Sequence, residues 1–427
     1  MILVNPPLCT SSDDRMFAKI KPLLIFSLFL LLPTQLGHFF FNNFSFINGI
    51  RIDYLAPTIY ITDIIVALLL IIELTKKPIL ITKAVIKFVK KYPIILSIGI
   101  LILGNIVFAT SPLLSIFRWA KMVEMIVVFL IIKNSQNISK KIIFPFLIGS
   151  LFQLILVSFQ IVNGSSLQGF WYFLGERSFS ISSPGISKMA LDGVEILRPY
   201  GTFSHPNSLA GFYLLVYGYF LYYSKKIILS QILSISRQLL LAISTILVFL
   251  TFSKIAISTL IIITTWHVFK QKYKCVLCLT AKLIVPIVIG CLFLSGTGDV
   301  DSINKRIWLA KSALQIIISH PLYGTGLGNY LYAQSAFSIP YSYFFLQPVH
   351  NIFLLLMAEV GIPLSISFGI VLLRVLKPLF NNRQVVVIVI IIFITGFFDH
   401  YWLTLQQNII LIPLVFGLLQ KHKSVVK

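Results

Sequence analysis

Six side chains in this sequence have the types that phosphate chemistry uses: Arg198, His205, Lys254, Arg306, His350 and Asp399. Each stands at the edge of a hydrophobic run, where a charge is costly unless it is paired or used. Arg and Lys clamp phosphate oxygens, Arg bidentately, and stabilise charge developing on a leaving group. A neutral His, with an unperturbed pKa of about 6.5, can take a proton from an attacking hydroxyl, and a carboxylate can orient it. Together they suit displacement of a lipid-linked diphosphate by a sugar hydroxyl. Each residue also has a plainer reading. His205-Pro206-Asn207 reads as a turn and helix start, Lys254 as an interfacial anchor, Arg306 as part of a solvated face, and His350-Asn351 as a helix cap. Arg118, Lys121 and Glu124 recur at i, i+3, i+6, which fits either a Lys121–Glu124 pair with Arg118 snorkelling outward or the lining of an anion-binding cavity.

The elements that must carry these groups are mostly apolar. The chain has 427 residues, 57% hydrophobic and 11% charged, against about 25% charged in a soluble domain. Runs of about 20 apolar residues can span a bilayer. They are expected near 21–38, 56–73, 92–109, 115–133, 142–162, 208–223, 238–252, 255–270, 282–296, 350–374, 384–400 and 403–420. The expected fold is therefore all-α, a single polytopic membrane domain over 1–427 with about 12 spans, the first retained, not cleaved. Lys and Arg cluster in alternate connections, which places both termini in the cytoplasm. The two long loops, 163–207 and 297–349, then face outward. The net charge of +22 lies in short clusters between apolar runs, not on one basic face, and so does not indicate nucleic acid.

The second loop carries a helical pattern from Ile303 to Ser319, with Ile303, Ile307, Ala310, Leu314 and Ile317 at helical spacing. Asp301 or Ser302 can cap it and Pro321 ends it, so that it lies along the outer boundary with Lys305 and Lys311 reaching out. Gly324-Thr325-Gly326-Leu327-Gly328 imitates a dinucleotide loop but lacks a βαβ context. Asp299-Val300-Asp301 reads as helix capping, and the lone Cys275/Cys278 pair is a weak metal signal. No metal or cofactor is expected.

Several motifs together resemble the O-antigen ligase and O-antigen polymerase superfamily of polytopic membrane glycosyltransferases. They are RPYGTFSHPN (Arg198 to Asn207), the TFSK turn ending at Lys254, and NKRIWLAKSAL leading into HPLYGTGLGNY. VHNIFLLLMAEVGIPL and the late FFDHYW follow, with FLGERSFS (Phe173 to Ser180) and YITD (Tyr60 to Asp63) earlier. The likeness is strongest over 198–402, a core that includes the loop 297–349. The resemblance implies an inverting, metal-independent transfer of a glycan from an undecaprenyl-diphosphate carrier on the outer face of the inner (plasma) membrane. The acceptor would be a glycan, a lipid or a protein. It also implies His350 as base, Lys254 and Arg306 on the diphosphate, and Asp399 as the late acidic residue. Lys254 departs from the family, whose turn normally carries Arg. Substrate contacts are expected from Arg198, His205, Asn351, Arg118 and Lys121. Two other classes fit the chain: a flippase for lipid-linked glycans, and a C-type transferase that uses a lipid monophosphate sugar with Asp53 as base.

Overall fold

Long apolar runs with few glycines and prolines give helices, because a helix satisfies its own backbone where no water reaches. The computed structural model describes residues 12–76, 90, 94–135, 138–191, 194–223, 230–270, 284, 287–288, 290–291, 300–338, 340–341 and 345–424. Its principal helices are α1 (Ser12–Leu31), α2 (Ile61–Lys76), α3 (Ile94–Val107), α4 (Pro112–Asn134) and α5 (Ile143–Asn163). Then come α6 (Pro206–Leu221), α7 (Gln231–Leu250), α8 (Lys254–Phe269), α9 (Val300–Ser319) and α10 (Tyr330–Ser335). The last are α11 (Ile352–Val360), α12 (Ile362–Leu376), α13 (Arg383–Phe398) and α14 (Gln406–Ser424).

Among the described residues, three helices are long and apolar enough to cross a membrane: Ile143–Asn163, Gln231–Leu250 and Ile362–Leu379. Shorter apolar helices lie at Ile94–Val107, Lys254–Phe269, Arg383–Phe398 and Gln406–Gln420. Most leave an apolar stripe bare, such as Leu96, Ile100 and Leu103 on α3 or Ile148, Leu151, Ile155 and Phe159 on α5. Stripes of that extent suit lipid as the surrounding medium. The expected span 282–296 falls largely outside the described residues.

Some boundaries differ from expectation. The first helix ends at Leu31, and the chain from Gly37 is strand where a span was expected to continue. The expected span 350–374 is two helices broken at Gly361, which adopts φ 80°. The fold is also not purely helical: among the described residues the connections between helices hold three two-stranded antiparallel ribbons. These pair β1 (Gly37–Phe39) with β4 (Thr58–Tyr60), β2 (Phe46–Ile47) with β3 (Ile50–Arg51), and β5 (Lys188–Leu191) with β6 (Val194–Leu197). Loops outside hydrocarbon are free to pair edge to edge in this way.

α6 is the hub. Every residue from Pro206 to Phe220 except Asn207 is buried, and the helix packs on α7, α13 and α14. Gly211 and Gly218 permit that density: a Cβ at Gly211 would collide with Tyr401, and one at Gly218 would lie 2.5 Å from Ile391 Cδ1. Polar side chains of α5 pin the outer loop onto this bundle. Gln160 Oε1 accepts from the amides of Tyr200 (3.0 Å) and Gly201 (2.8 Å), and Gln153 Nε2 donates to Thr202 Oγ1 (2.6 Å). Glu176 accepts from Gln160 Nε2 and from the amides of Leu167 and Gln168. Polar groups buried in an apolar bundle must be bonded in this way, and here the bonds fix where residues 198–207 sit.

α9 leaves most of the apolar stripe expected along the membrane boundary on its exposed face. Leu309, Ala313, Ile316 and Ile317 are buried, whereas Ile303, Ile307 and Leu314 are exposed. Of the expected stripe only Ile317 enters the core. α9 runs from Val300, so the backbone of Asp301 and Ser302 lies within the helix. It ends at Ser319, just before Pro321.

Candidate active site

The C-terminal end of α13 gathers the functional side chains. Asp399 is the helix C-cap in extended backbone (φ −158°), which turns its side chain back into the protein. His205 is the N-cap of α6, and its Nδ1 accepts from the Asn207 amide at 3.1 Å. That cap orients Asn207, whose Oδ1 accepts from Arg198 Nη2 (2.6 Å) while Nδ2 donates to Asp399 Oδ2 (2.8 Å). Asp399 Oδ1 accepts from the His400 amide at 2.8 Å. The His400 ring meets His350 edge-on at 5.3 Å and Tyr54 at 5.8 Å, and its Nδ1 bonds Thr404 Oγ1 at 2.7 Å.

Two further groups hold the same helix end. Asn351 caps α11 by accepting from the amides of Phe353 and Leu354, and its Nδ2 donates to the Phe397 carbonyl at 3.1 Å. Arg306 Nη1 donates to the Phe398 carbonyl at 3.2 Å. Cations at a helix C-terminus meet its unsatisfied carbonyls favourably. Arg198 Nε also donates to the Thr251 carbonyl at 2.9 Å, tying this cluster to the turn that precedes Lys254. In that turn Phe252 adopts φ 53°, a left-handed conformation that closes it within three residues. Lys254 is exposed at the first position of α8. The residues after it, Ile255 and Ala256, wall a narrow recess with Asn207, Arg306, Phe398 and Asp399.

Burial sets the electrostatics. It pushes the His350 imidazole down to about 4; Asp399 opposes that shift, while His400 and Arg306 add to it. Burial likewise takes His205 down to about 3, lowers His400 and brings Arg198 down to about 10. For Asp399 burial acts upward, but the imidazoles of His350, His400 and His205 and the Asn207 bond hold its carboxyl well below the usual carboxylate range. At neutral pH the site therefore holds an ionised carboxylate, neutral imidazoles and the Arg306 guanidinium. His350 Nδ1 is buried and makes no hydrogen bond among the described residues, which leaves it open to a reacting proton.

One ligand atom each from His350, Asp399 and His400 lies within 4.8 Å of the others, close enough that the trio could hold a metal ion. The neighbouring positive charge of Arg306 opposes a cation there.

Arg118 and Lys121 belong to a different place. Arg118 does not snorkel outward: it turns inward to donate to the Tyr54 carbonyl. Lys121 pairs with Glu124 at 3.3 Å, as the spacing suggests, and is shared with Asp63 of the YITD segment. Both line a cavity of about 800 Å³ together with Arg51, Asp53, Tyr54, Arg177 and Thr404. The Gly324–Gly328 turn is structural. Its three glycines have φ of 65°, 96° and 83°, and a Cβ at Gly328 would lie 2.6 Å from Arg118 Cγ. Asn105 Nδ2 donates to the carbonyls of Tyr323 (2.6 Å) and Glu359 (2.8 Å), locking that turn against the break at Gly361. Asp299, Cys275 and Cys278 lie outside the described residues.

Sequence reasoning missed Asn207, His400, Thr404 and Tyr54 as members of the cluster. The adjacent Asp399-His400 pair and its Thr four residues on were the available signals. Nothing local marks Asn207 as the bridge between Arg198 and Asp399, which are two hundred positions apart.

Comparison with known proteins gives one match: residues 239–369 match the family model described as O-antigen ligase. No curated protein and no solved structure matches the chain. Lys254, Arg306, His350 and Asn351 fall inside the matched segment, while Arg198, His205 and Asp399 reach the same cluster from outside it. The likeness to the O-antigen ligase superfamily seen in the motifs thus holds at the level of the family model, which residues 239–369 match.

Proposed function

We propose that the chain transfers a glycan from an undecaprenyl-diphosphate carrier to an acceptor hydroxyl on the outer face of the inner membrane. The observation that carries this reading is the meeting of His350, Asp399 and Arg306 at one helix end, in a chain of O-antigen ligase type. The donor diphosphate lies against the mouth of the recess beside Arg306, a recess that itself has room for about one water, with Lys254 on the adjoining turn. His350 accepts the proton of the acceptor hydroxyl as its oxygen bonds the anomeric carbon from the face opposite the leaving group. The bond from that carbon to the phosphate oxygen breaks, and the diphosphate leaves with the electron pair. Arg306 and Lys254 stabilise the charge that develops there. Asp399 holds the imidazolium that forms, and Asn207 and Arg198 hold Asp399. Inversion follows from the single displacement, and the step needs no metal.

The Asp53 alternative has less support, because each carboxylate oxygen already faces a guanidinium, Arg51 at 3.2 Å and Arg177 at 3.6 Å. The test is His350→Ala in a reconstituted assay with lipid-linked donor. A general base contributes roughly 10²–10⁴-fold, so transfer falls by at least about a hundredfold while membrane insertion is unchanged. Product formed at the wild-type rate overturns the assignment. Deletion in the native host then separates two forms of the reaction. Surface glycans reduced to single repeats on their anchor mark a polymerase; complete loss from the anchor, with lipid-linked chains accumulating, marks a ligase.

A further inference from the structure

The cavity of about 800 Å³ has a lining that differs from that of the small recess beside Arg306. Its size falls within the roughly 300–1,000 Å³ of small-molecule sites. The recess is walled by Asp399 and Tyr401, the cavity by Tyr54 and Thr404. His400 lies between the two, bonded to Thr404 Oγ1 and edge-on to Tyr54, with His350 against its ring. The cavity therefore abuts His400 through Tyr54 and Thr404, which stand between a molecule held there and the imidazoles.

The lining is aromatic and locally cationic. Phe39 and Phe41 stack with ring centroids 6.0 Å apart, and the Arg51 guanidinium sits 4.8 Å above Phe41. Tyr172 and Phe173 present exposed rings to the same space. Flat ring faces bind the C–H faces of sugars, and the polar rims of Tyr and Arg bind their hydroxyls. Most charges in the lining are matched: Lys121 by Asp63 and Glu124, and Glu176 by three donors. Asp53 differs, because one carboxylate serves both Arg51 and Arg177, and both guanidinium groups remain about half exposed. The Arg51–Asp53–Arg177 group therefore carries one positive charge more than its carboxylate can match, at a solvent-accessible arginine pair suited to bidentate recognition.

We propose that this cavity is the acceptor subsite and that it takes an acidic glycan, whose anionic group docks on Arg51 and Arg177 while its sugar rings lie on Phe41, Tyr172 and Phe173. The acceptor role rests on the transfer reading above; the binding does not. The test therefore measures binding with no donor present, using the full chain in nanodiscs. Trigalacturonate and neutral maltotriose are titrated by thermophoresis. The expected result is that trigalacturonate binds at least about tenfold tighter, because a charge-assisted pair to an exposed arginine is lost with the neutral sugar. Arg177→Gln and Arg51→Gln remove that preference, and Arg177→Lys, which keeps the charge, retains part of it. Equal binding of the two sugars, no binding of either, or a preference untouched by both Gln variants overturns the proposal. So does displacement of trigalacturonate by inorganic pyrophosphate at equal concentration, or the same loss in Arg306→Gln, since either assigns the anion to a diphosphate site. Binding as expected from a chain that transfers nothing would remove the transfer reading and leave the glycan site standing.

Discussion

Burial holds His350 down to about 4, and that shift has a sign that can be checked. A base must be neutral to accept a proton, and here the neutral form persists well below the ordinary histidine pKa of about 6.5. Transfer rate should therefore stay flat from pH 7 to about 5 and fall only as pH drops through about 4, as read from initial rates across buffers. A fall centred near 6.5 would show a solvated imidazole and sink the geometry. Stability has the same direction: His205 and His350 bind fewer protons folded than unfolded, so the melting temperature declines as pH falls below about 6.5. On the cationic side, Arg306→Ala removes a guanidinium from the recess and should cost about tenfold or more in kcat/KM for the lipid-linked donor. Lys254→Arg, which restores the forked donor, should preserve or raise it.

The turn from Gly324 to Gly328 illustrates how an element holds a side chain at a cavity wall. Its left-handed glycines let the chain fold flat against α4 and the α11–α12 break, so that Arg118 stays turned toward the Tyr54 carbonyl. Gly328→Ala puts a Cβ at φ 83° and 2.6 Å from Arg118 Cγ, and should destabilise the protein by about 1–3 kcal/mol. Gly99→Ala is the matched control. It lies inside α3 with nothing within 4 Å of the added Cβ, and should be neutral or stabilising by about 0.5–1 kcal/mol. Thermal unfolding of the two variants in one detergent separates them. An equal effect would mean that the turn is not packed as described.

For the whole molecule, the proposed outer-face reaction requires the 163–207 loop and the candidate site outside and the turn before α13 inside, the sides that the Lys and Arg pattern predicts. Ser182 and Asn381 are both exposed, one on each expected side. In a background free of native cysteines, Ser182→Cys should react with an impermeant maleimide in intact cells. Asn381→Cys should react only after permeabilisation. The reverse pattern would place the His350 cluster in the cytoplasm and remove the outer-face reaction.

The sequence by itself determined what composition and local spacing can encode. The apolar runs became helices, Pro206 and Pro321 marked a helix start and a stop, and His350, Arg306 and Asp399 stood out as charges beside lipid-like runs. The likeness to O-antigen ligases was legible in the same motifs. Tertiary structure decided which groups meet and which faces pack. A helical period marks an apolar face on α9 without saying whether protein or lipid covers it, and the core took Leu309, Ala313 and Ile316 instead of Ile303 and Ile307. Arg118 reads as outward-pointing until the Tyr54 carbonyl offers a partner. Asn207 becomes the bridge between Arg198 and Asp399 only because a histidine cap on one helix faces the end of another. Local chemistry is written residue by residue along the chain, whereas hydrogen bonds across two hundred positions exist only once the helices have packed.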